Sequence, residues 1–285
     1  MTRKILNALG FLVGLVAIGF VVLRLRTYAA QIDLARLSAA VWAQLLGLVV
    51  ISGAANTLLG IAWRHLLAHV GVDASPRWAI RIHGVSQIGR YVPGNILQFA
   101  GRQALGMAAG LPAGPLARSV VWELGLLVSL GGALALSVLP LRFAAVPPVV
   151  PTLLALAVLL PVLWRLFGPS VARAAFWQLA FFIVYSTTFV ATVELVQGHT
   201  FAWSVAPTVA AAFALAWLIG LVTPGAPAGG GIREAVLLFL LSDRIQPADL
   251  LLAVVIGRAV NVLGDVLFFL FASALRAPEP PHVRA

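Results

Sequence analysis

The sequence predicts an all-α, polytopic membrane helix bundle, and three observations carry the prediction. Of its 285 residues, 61% are hydrophobic and 10% charged, with a mean hydropathy of +1.03. A soluble domain needs far more charge to cover its surface. The apolar runs are continuous rather than alternating, so helices and not an outer-membrane barrel would satisfy the backbone. Two of these stretches are interrupted by Pro/Gly-rich sequences that carry arginines. We expect about seven or eight spans, depending on how the broken segments cross, in one integral membrane domain over 1–275 with a disordered tail over 276–285.

The net charge of +10 does not point to nucleic acid, because the basic residues are scattered singly or in pairs between apolar runs. They suit positive-inside loops and a few arginines at membrane depth. The absence of cysteine excludes disulfides, thiolate metal sites and cysteine nucleophiles.

Span one, Ile5–Leu23, is 19 residues long and follows Arg3 and Lys4. Arg24 and Arg26 stand where a signal peptide would have its small-residue cleavage site, so an uncleaved helix is expected. Its Gly10 and Gly14 form a G-x-x-x-G pair suited to close helix contact. Span two runs from Trp42 to Trp63, about 31 Å at roughly 1.5 Å per residue, with a tryptophan at each interface. His65 and His69 follow four residues apart; without a third ligand nearby they read as an interfacial pair rather than a metal site.

The stretch from Ser86 to Gly106 is the first break. Pro93 lacks an N–H and pushes Val92 from helical angles, and Gly94 takes the φ > 0 that ends a helix. Asn95 is then expected to cap a second half-helix, with Gln98 completing a capping-box-like pair. The free N–H groups of Ile96, Leu97 and Gln98 and the positive dipole end would face the gap, and Gln98 and Arg102 share a face. In a membrane this arrangement suits an anionic group. A kinked helix with mutually satisfied polar residues is the alternative, and both an interrupted span and a re-entrant hairpin fit Trp78 to Gly110.

Leu116–Leu139 carries Arg118 and Glu123, which are five apart and on different faces, so Glu123 should find an arginine elsewhere. Ser119 shares its face. Pro147–Phe167 is proline-rich, and Pro161 should kink or end it. After a link flanked by Arg165 and Arg173, Ala174–Val196 has a polar centre at Tyr185-Ser186-Thr187-Thr188 and an interfacial Glu194; Trp203–Val222 follows.

The break recurs at Thr223–Glu234. Pro224 lies nine residues before Arg233, as Pro93 lies nine before Arg102. Gly229, Gly230 and Gly231 expose backbone N–H groups and permit close approach. Glu234 suits the first turn of the next helix, whereas the dipole opposes Arg233, which implies an anion or carboxylate beside it. The last span, Leu250–Leu275, sets Arg258, Asn261 and Asp265 at spacings of three and four, a stripe that must face protein or water. Basic residues divide seven to four in favour of a cytoplasmic N-terminus. Paired interruptions in comparable places suggest a transporter site at an internal-repeat interface.

At this point a family resemblance enters. Gly89-Arg90-Tyr91-Val92-Pro93-Gly94-Asn95, with Gln98 through Arg102, resembles the Y-[LIV]-P-G-x-x-x-Q-x-x-x-R-type signature of the lysylphosphatidylglycerol synthase transmembrane region. Pro227 to Glu234 resembles its second signature, and Arg258 the arginine of its last long helix. The resemblance implies a flippase-type membrane domain. Bifunctional members add a soluble aminoacyl-tRNA-dependent transferase, which this sequence does not contain, so lipid aminoacylation is not implied.

The expected function is transport of a phosphate-containing lipid, phospholipid or polyprenyl-linked, across a bacterial or archaeal cytoplasmic membrane. Arg90, Tyr91, Pro93, Gly94, Asn95, Gln98, Arg102, Gly229, Gly230, Gly231, Arg233 and Glu234 are its expected lipid- or anion-binding residues. Glu123, Arg258, Asn261 and Asp265 form the expected polar network, with Glu123 and Asp265 balancing the arginines. No catalytic residue, metal or cofactor is expected, and a membrane enzyme is disfavoured by the lack of a nucleophile or acidic cluster. The alternative is a non-transporting accessory membrane protein for a glycosyltransferase or cell-envelope lipid pathway. On either reading the expected partners are membrane lipid and either a second copy of the chain or a membrane glycosyltransferase.

Overall fold

The computed structural model describes residues 38–92, 96–141, 147–202, 204–223, 231–276 and 281–283. The expected first span with its Gly10–Gly14 pair lies outside the described residues, as do Pro93, Gly94, Asn95 and residues 224–230, among them Gly229 and Gly230. What is described is all-α apart from one two-residue strand pair.

Helix α1 (Ala39–His69) begins where the Ser38 hydroxyl accepts from the Val41 N–H. It runs on past Trp63, so that residue is not at a helix end. Trp63 is 1% exposed and stacks on Trp78 at 5.7 Å, a core residue rather than the interfacial anchor expected. Strand β1 (Val72–Asp73) pairs antiparallel with β2 (His282–Val283), which places that part of the tail; residues 277–280 and 284–285 lie outside the description.

Helix α2 (Pro76–Gln87) has Ser75 as N-cap, accepting from Trp78 N–H at 3.2 Å, and Pro76 in its first turn, where a missing N–H costs nothing. A 3₁₀ turn, Ile88–Tyr91, continues it. Then come α3 (Leu97–Ala108), α4 (Ala113–Ala135) with a 3₁₀ extension, α5 (Val149–Gln197), α6 (Ala206–Val222), α7 (Ile232–Leu241) and α8 (Pro247–Ala274).

In α5 the two spans expected at Pro147–Phe167 and Ala174–Val196 become two limbs of one element, separated by a single residue instead of a link. Gly168, at φ 82° and ψ 178°, is non-helical, and Pro169 opens the second limb. Of the two outcomes expected at Pro161, a kink or an end, the helix does not end there. The element kinks at Gly168, where a glycine tolerates positive φ, and Pro161 sits inside the first limb.

The main core lies where α1, α4, the second limb of α5, α6, α7 and α8 meet, around Leu66, Leu130, Phe181, Phe182, Trp217 and Leu241. A smaller core of Trp63, Leu67, Trp78 and Leu116 joins α1, α2 and α4. Helices α1, α4, α5 and α8 are each long and apolar enough to cross a membrane. Leu153, Leu154, Val158 and Trp164 on the first limb of α5 are exposed, an exterior suited to hydrocarbon. The chain is an integral membrane protein.

The contact that sets the site's dimensions is the crossing of α1 and α8. A Cβ on Gly264 would stand 2.9 Å from the Gly53 nitrogen and 2.9 Å from Ser52 Oγ. Only glycine lets these backbones touch. Gly264→Ala should therefore lower stability by about 1–3 kcal/mol through overpacking, read as a drop in detergent thermal midpoint. Gly125→Ala, where an added Cβ meets nothing within 4 Å, should melt with the wild type. Equal midpoints for the two variants would contradict the crossing.

Candidate functional site

Asp265 is the centre of a buried polar network. It sits on α8, 1% exposed. Its Oδ1 accepts from Asn56 Nδ2 of α1 at 2.9 Å, and its Oδ2 accepts from Arg90 Nη1 at 3.0 Å and Tyr91 Oη at 2.6 Å. Three donors, one of them charged, make ionisation at this depth tolerable. Asn56 also donates to the Ser52 carbonyl at 3.2 Å and accepts from Gln87 Nε2 at 3.2 Å. Ser52 Oγ in turn donates to Asn261 Oδ1 at 3.2 Å, so the stripe expected on the last helix does face protein.

The first break is arranged around this network. Val92 is extended (φ −77°, ψ 137°), as expected before Pro93. The residue before α3 is Ile96, which makes no side-chain cap bond, and the expected Asn95–Gln98 capping box lies outside the described residues. Gln98 accepts from Arg90 Nε at 3.4 Å, which gives the buried guanidinium a second acceptor. The two halves of the break touch: a Cβ on Gly89 would lie 2.9 Å from the Gln98 nitrogen.

Arg102, on α3, is 1% exposed and paired with Glu123 of α4, the partner that carboxylate was expected to find. Its guanidinium lies 5.1 Å from the Trp63 ring and 5.7 Å from the Phe99 ring, so aromatic faces also cover it. Trp63 is fixed from behind by its Nε1 donating to Ser119 Oγ at 3.0 Å. Gln178 Nε2 of α5 donates to the Glu123 carbonyl at 3.4 Å. Arg102 is thus enclosed.

The second break behaves differently. Gly231, with φ 83°, precedes α7. Glu234 accepts from Arg258 Nη2 of α8 at 3.0 Å, which joins one site residue of the second break to the last helix. Arg233 is partly buried with its Cζ 5.7 Å from the Trp217 ring of α6, and its Nε is sealed from solvent without an acceptor. Among the described residues it forms no ion pair. Both breaks therefore meet α8, the first through Arg90 and Asp265 and the second through Glu234 and Arg258. The nine-residue spacing is not structurally equivalent at the two breaks, since Arg102 is the sixth residue of α3 and Arg233 the second of α7.

Sequence reasoning missed Ser52, Asn56, His83, Gln87 and Trp217. Ser52 and Asn56 stand four apart inside an apolar span, and Gln87 lies four after His83. Lone amides within apolar runs were the available signal. Among the described residues no group of three metal-ligating side chains occurs, and His69 packs edge-on to Trp122 at 4.9 Å.

Compared with protein-family models, with curated proteins and with solved structures, the chain gives no match.

Removing one member of a buried ion pair strands the other. Glu123→Ala should cost about 3–5 kcal/mol, and Arg102→Met combined with Glu123→Leu should recover most of it, because paired hydrophobic replacements leave no buried charge. Thermal unfolding in detergent reads both. A double variant as unstable as the single one would contradict the pairing.

Proposed function

We propose that the protein is a lipid transporter that moves a phosphate-bearing lipid across the cytoplasmic membrane, as its resemblance to the lysylphosphatidylglycerol synthase transmembrane region implies. The observation that carries this reading is Arg233. Arg90, Arg102 and Arg258 each have a carboxylate, whereas Arg233 has the Trp217 ring and, among the described residues, no carboxylate. A partly buried cation at a helix start is opposed by the dipole and is stabilised when an anion meets it. A lipid phosphate supplies that anion through charge-assisted hydrogen bonds while its acyl chains stay in hydrocarbon.

The other guanidiniums are neutralised by Asp265, Glu123 and Glu234, so the cluster favours one anion rather than trapping several. In this reading the two broken segments belong to a bundle of seven or eight spans with its N-terminus in the cytoplasm. Cargo passes where both breaks approach α8.

The test is leaflet exchange of headgroup-labelled phospholipid in liposomes. Wild type should exchange label, and Arg233→Ala should slow exchange about ten- to a hundred-fold, the rate equivalent of roughly 1.5–3 kcal/mol for a hydrogen bond to a charged group. Arg118→Ala, exposed on α4, should match the wild type. Equal rates for wild type and Arg233→Ala remove the site. A wild type without exchange that co-purifies with a stoichiometric partner favours the accessory role.

A further inference from the structure

The chain doubles back at both breaks, and α8 measures how far along the bundle each one reaches. At the first, a Cβ on Gly89 would lie 2.9 Å from the Gln98 nitrogen, and one on Gly101 3.7 Å from Ser86 Cβ. Helix α3 therefore returns antiparallel along α2. Leu111, just past α3, shares a core with Trp78 in the first turn of α2, so the segment leaves at the end where it entered. On the way in, Gly84 lies against Phe268 and Ala272 of α8, and Arg90 then meets Asp265. Asp265 is nine residues before Ala274, the last residue of α8, or about 14 Å along the helix.

The second break approaches from the other end. Phe213 of α6 meets Tyr185 and Phe189, and Trp217 meets Phe181 and Phe182, so α6 runs antiparallel to the second limb of α5. It starts beside the end of that limb, where Leu195 and Val196 pack with Ile256 and Val260 in the first half of α8. Helix α7 starts with Arg233 beside Trp217, and the short turn Ser242–Gln246 joins its end to the start of α8. Glu234 meets Arg258, eleven residues after Pro247, or about 17 Å from the start of α8. The two segments thus stop on α8 seven residues apart, about 10 Å.

Charge distinguishes the two ends. Arg64 lies in the last turns of α1, Arg77 and Arg81 in the first turns of α2, and Arg118 in those of α4. Arg165 and Arg173 flank the Gly168 kink, which sits at the same end because Trp122 packs edge-on to both His69 and Phe167. At the opposite end, the described residues hold Glu194, Asp243 and Asp249 with one arginine, Arg244. By the positive-inside rule the first end is cytoplasmic.

We propose that α2–α3 and α6–α7 are re-entrant hairpins from opposite faces of the membrane, the first from the cytoplasmic face and the second from the outer one, and that a phosphate-bearing ligand reaches Arg233 from the outer face. Each hairpin stops about half-way through a hydrocarbon core about 30 Å thick. They keep their places among the seven or eight membrane segments, but each returns to the face it entered. The direction of access follows from which ion pairs are closed. In the cytoplasmic hairpin Arg90 and Arg102 are held by Asp265 and Glu123, whose side chains are 1% and 4% exposed. In the outer hairpin Glu234, next to Arg233, is 26% exposed. The access claim rests on the anion reading of Arg233, whereas the two hairpins do not.

The chain has no cysteine, so single introduced thiols report sidedness directly. In intact cells a membrane-impermeant maleimide should label Thr200→Cys and Asp243→Cys, and should leave Arg77→Cys and Ala113→Cys unlabelled until the cells are opened; all four positions are exposed. Arg77→Cys and Ala113→Cys reacting from opposite faces would mean that α2–α3 crosses, and the same result for Thr200→Cys and Asp243→Cys that α6–α7 crosses. Either result overturns the proposal, as do four thiols on one face, and a reversed pattern overturns the assignment of faces. A small charged thiosulfonate should reach Ile232→Cys, beside Arg233, from the outer face alone, and short-chain phosphatidylglycerol should protect it. Ala235→Cys, exposed in the same turn of α7, reports instead if Ile232→Cys does not fold. Labelling from the cytoplasmic face, or from neither, overturns the access. Labelling from the outer face without protection keeps the hairpins and removes the anion reading of Arg233.

Discussion

Asp265 needs three donors, and much of the architecture follows from supplying them. A carboxylate in an apolar interior is tolerated only when its oxygens are hydrogen-bonded and its charge is met. One donor, Asn56, comes from α1, and reaches because Gly53 and Gly264 let α1 and α8 touch. The others, Arg90 and Tyr91, are consecutive. A 3₁₀ turn sets adjacent side chains about 120° apart, so Arg90 and Tyr91 both reach Oδ2 through the length of their side chains rather than from a shared face.

The same accounting separates the arginines. Arg102 is enclosed between Trp63, Phe99 and Glu123, an arrangement that fixes α3 against α1 and α4. Arg90 is bound to the hub, and Arg258 is bound to Glu234. These charges hold helices together across a bundle whose exterior is apolar, where lipid offers no hydrophobic drive for helix association. Arg233 rests on aromatic surface, and His83 has no partner at either nitrogen. Groups without partners among well-partnered neighbours are where a ligand can change the balance.

Much of this was legible in the sequence. Continuous apolar runs gave the all-α class, and Pro93 gave the extended Val92. Glu123, off the face of Arg118, pointed to a distant arginine, and the Arg258–Asn261–Asp265 stripe pointed inward. What was not legible depended on tertiary choice. Local pattern marked Gln98 as a capping residue, and only tertiary packing brings its Oε1 to Arg90. Pro161 and Gly168 both disrupt helices, but only the glycine could take the positive φ of the turn. Trp63 looked interfacial because span length was read from apolar residues alone, whereas α1 runs on to His69. Equal Pro-to-Arg spacing suggested equivalent breaks, yet helix start positions, invisible in spacing, set the two arginines in different roles.

Hydrogen–deuterium exchange across Ile88–Leu105 in Asp265→Asn tests the central claim, that this carboxylate holds the broken segment in place. The account predicts much faster exchange over that segment than in wild type, while Asp243→Asn, exposed in the turn after α7, leaves it unchanged. Wild-type protection of Ile88–Leu105 in Asp265→Asn would contradict it.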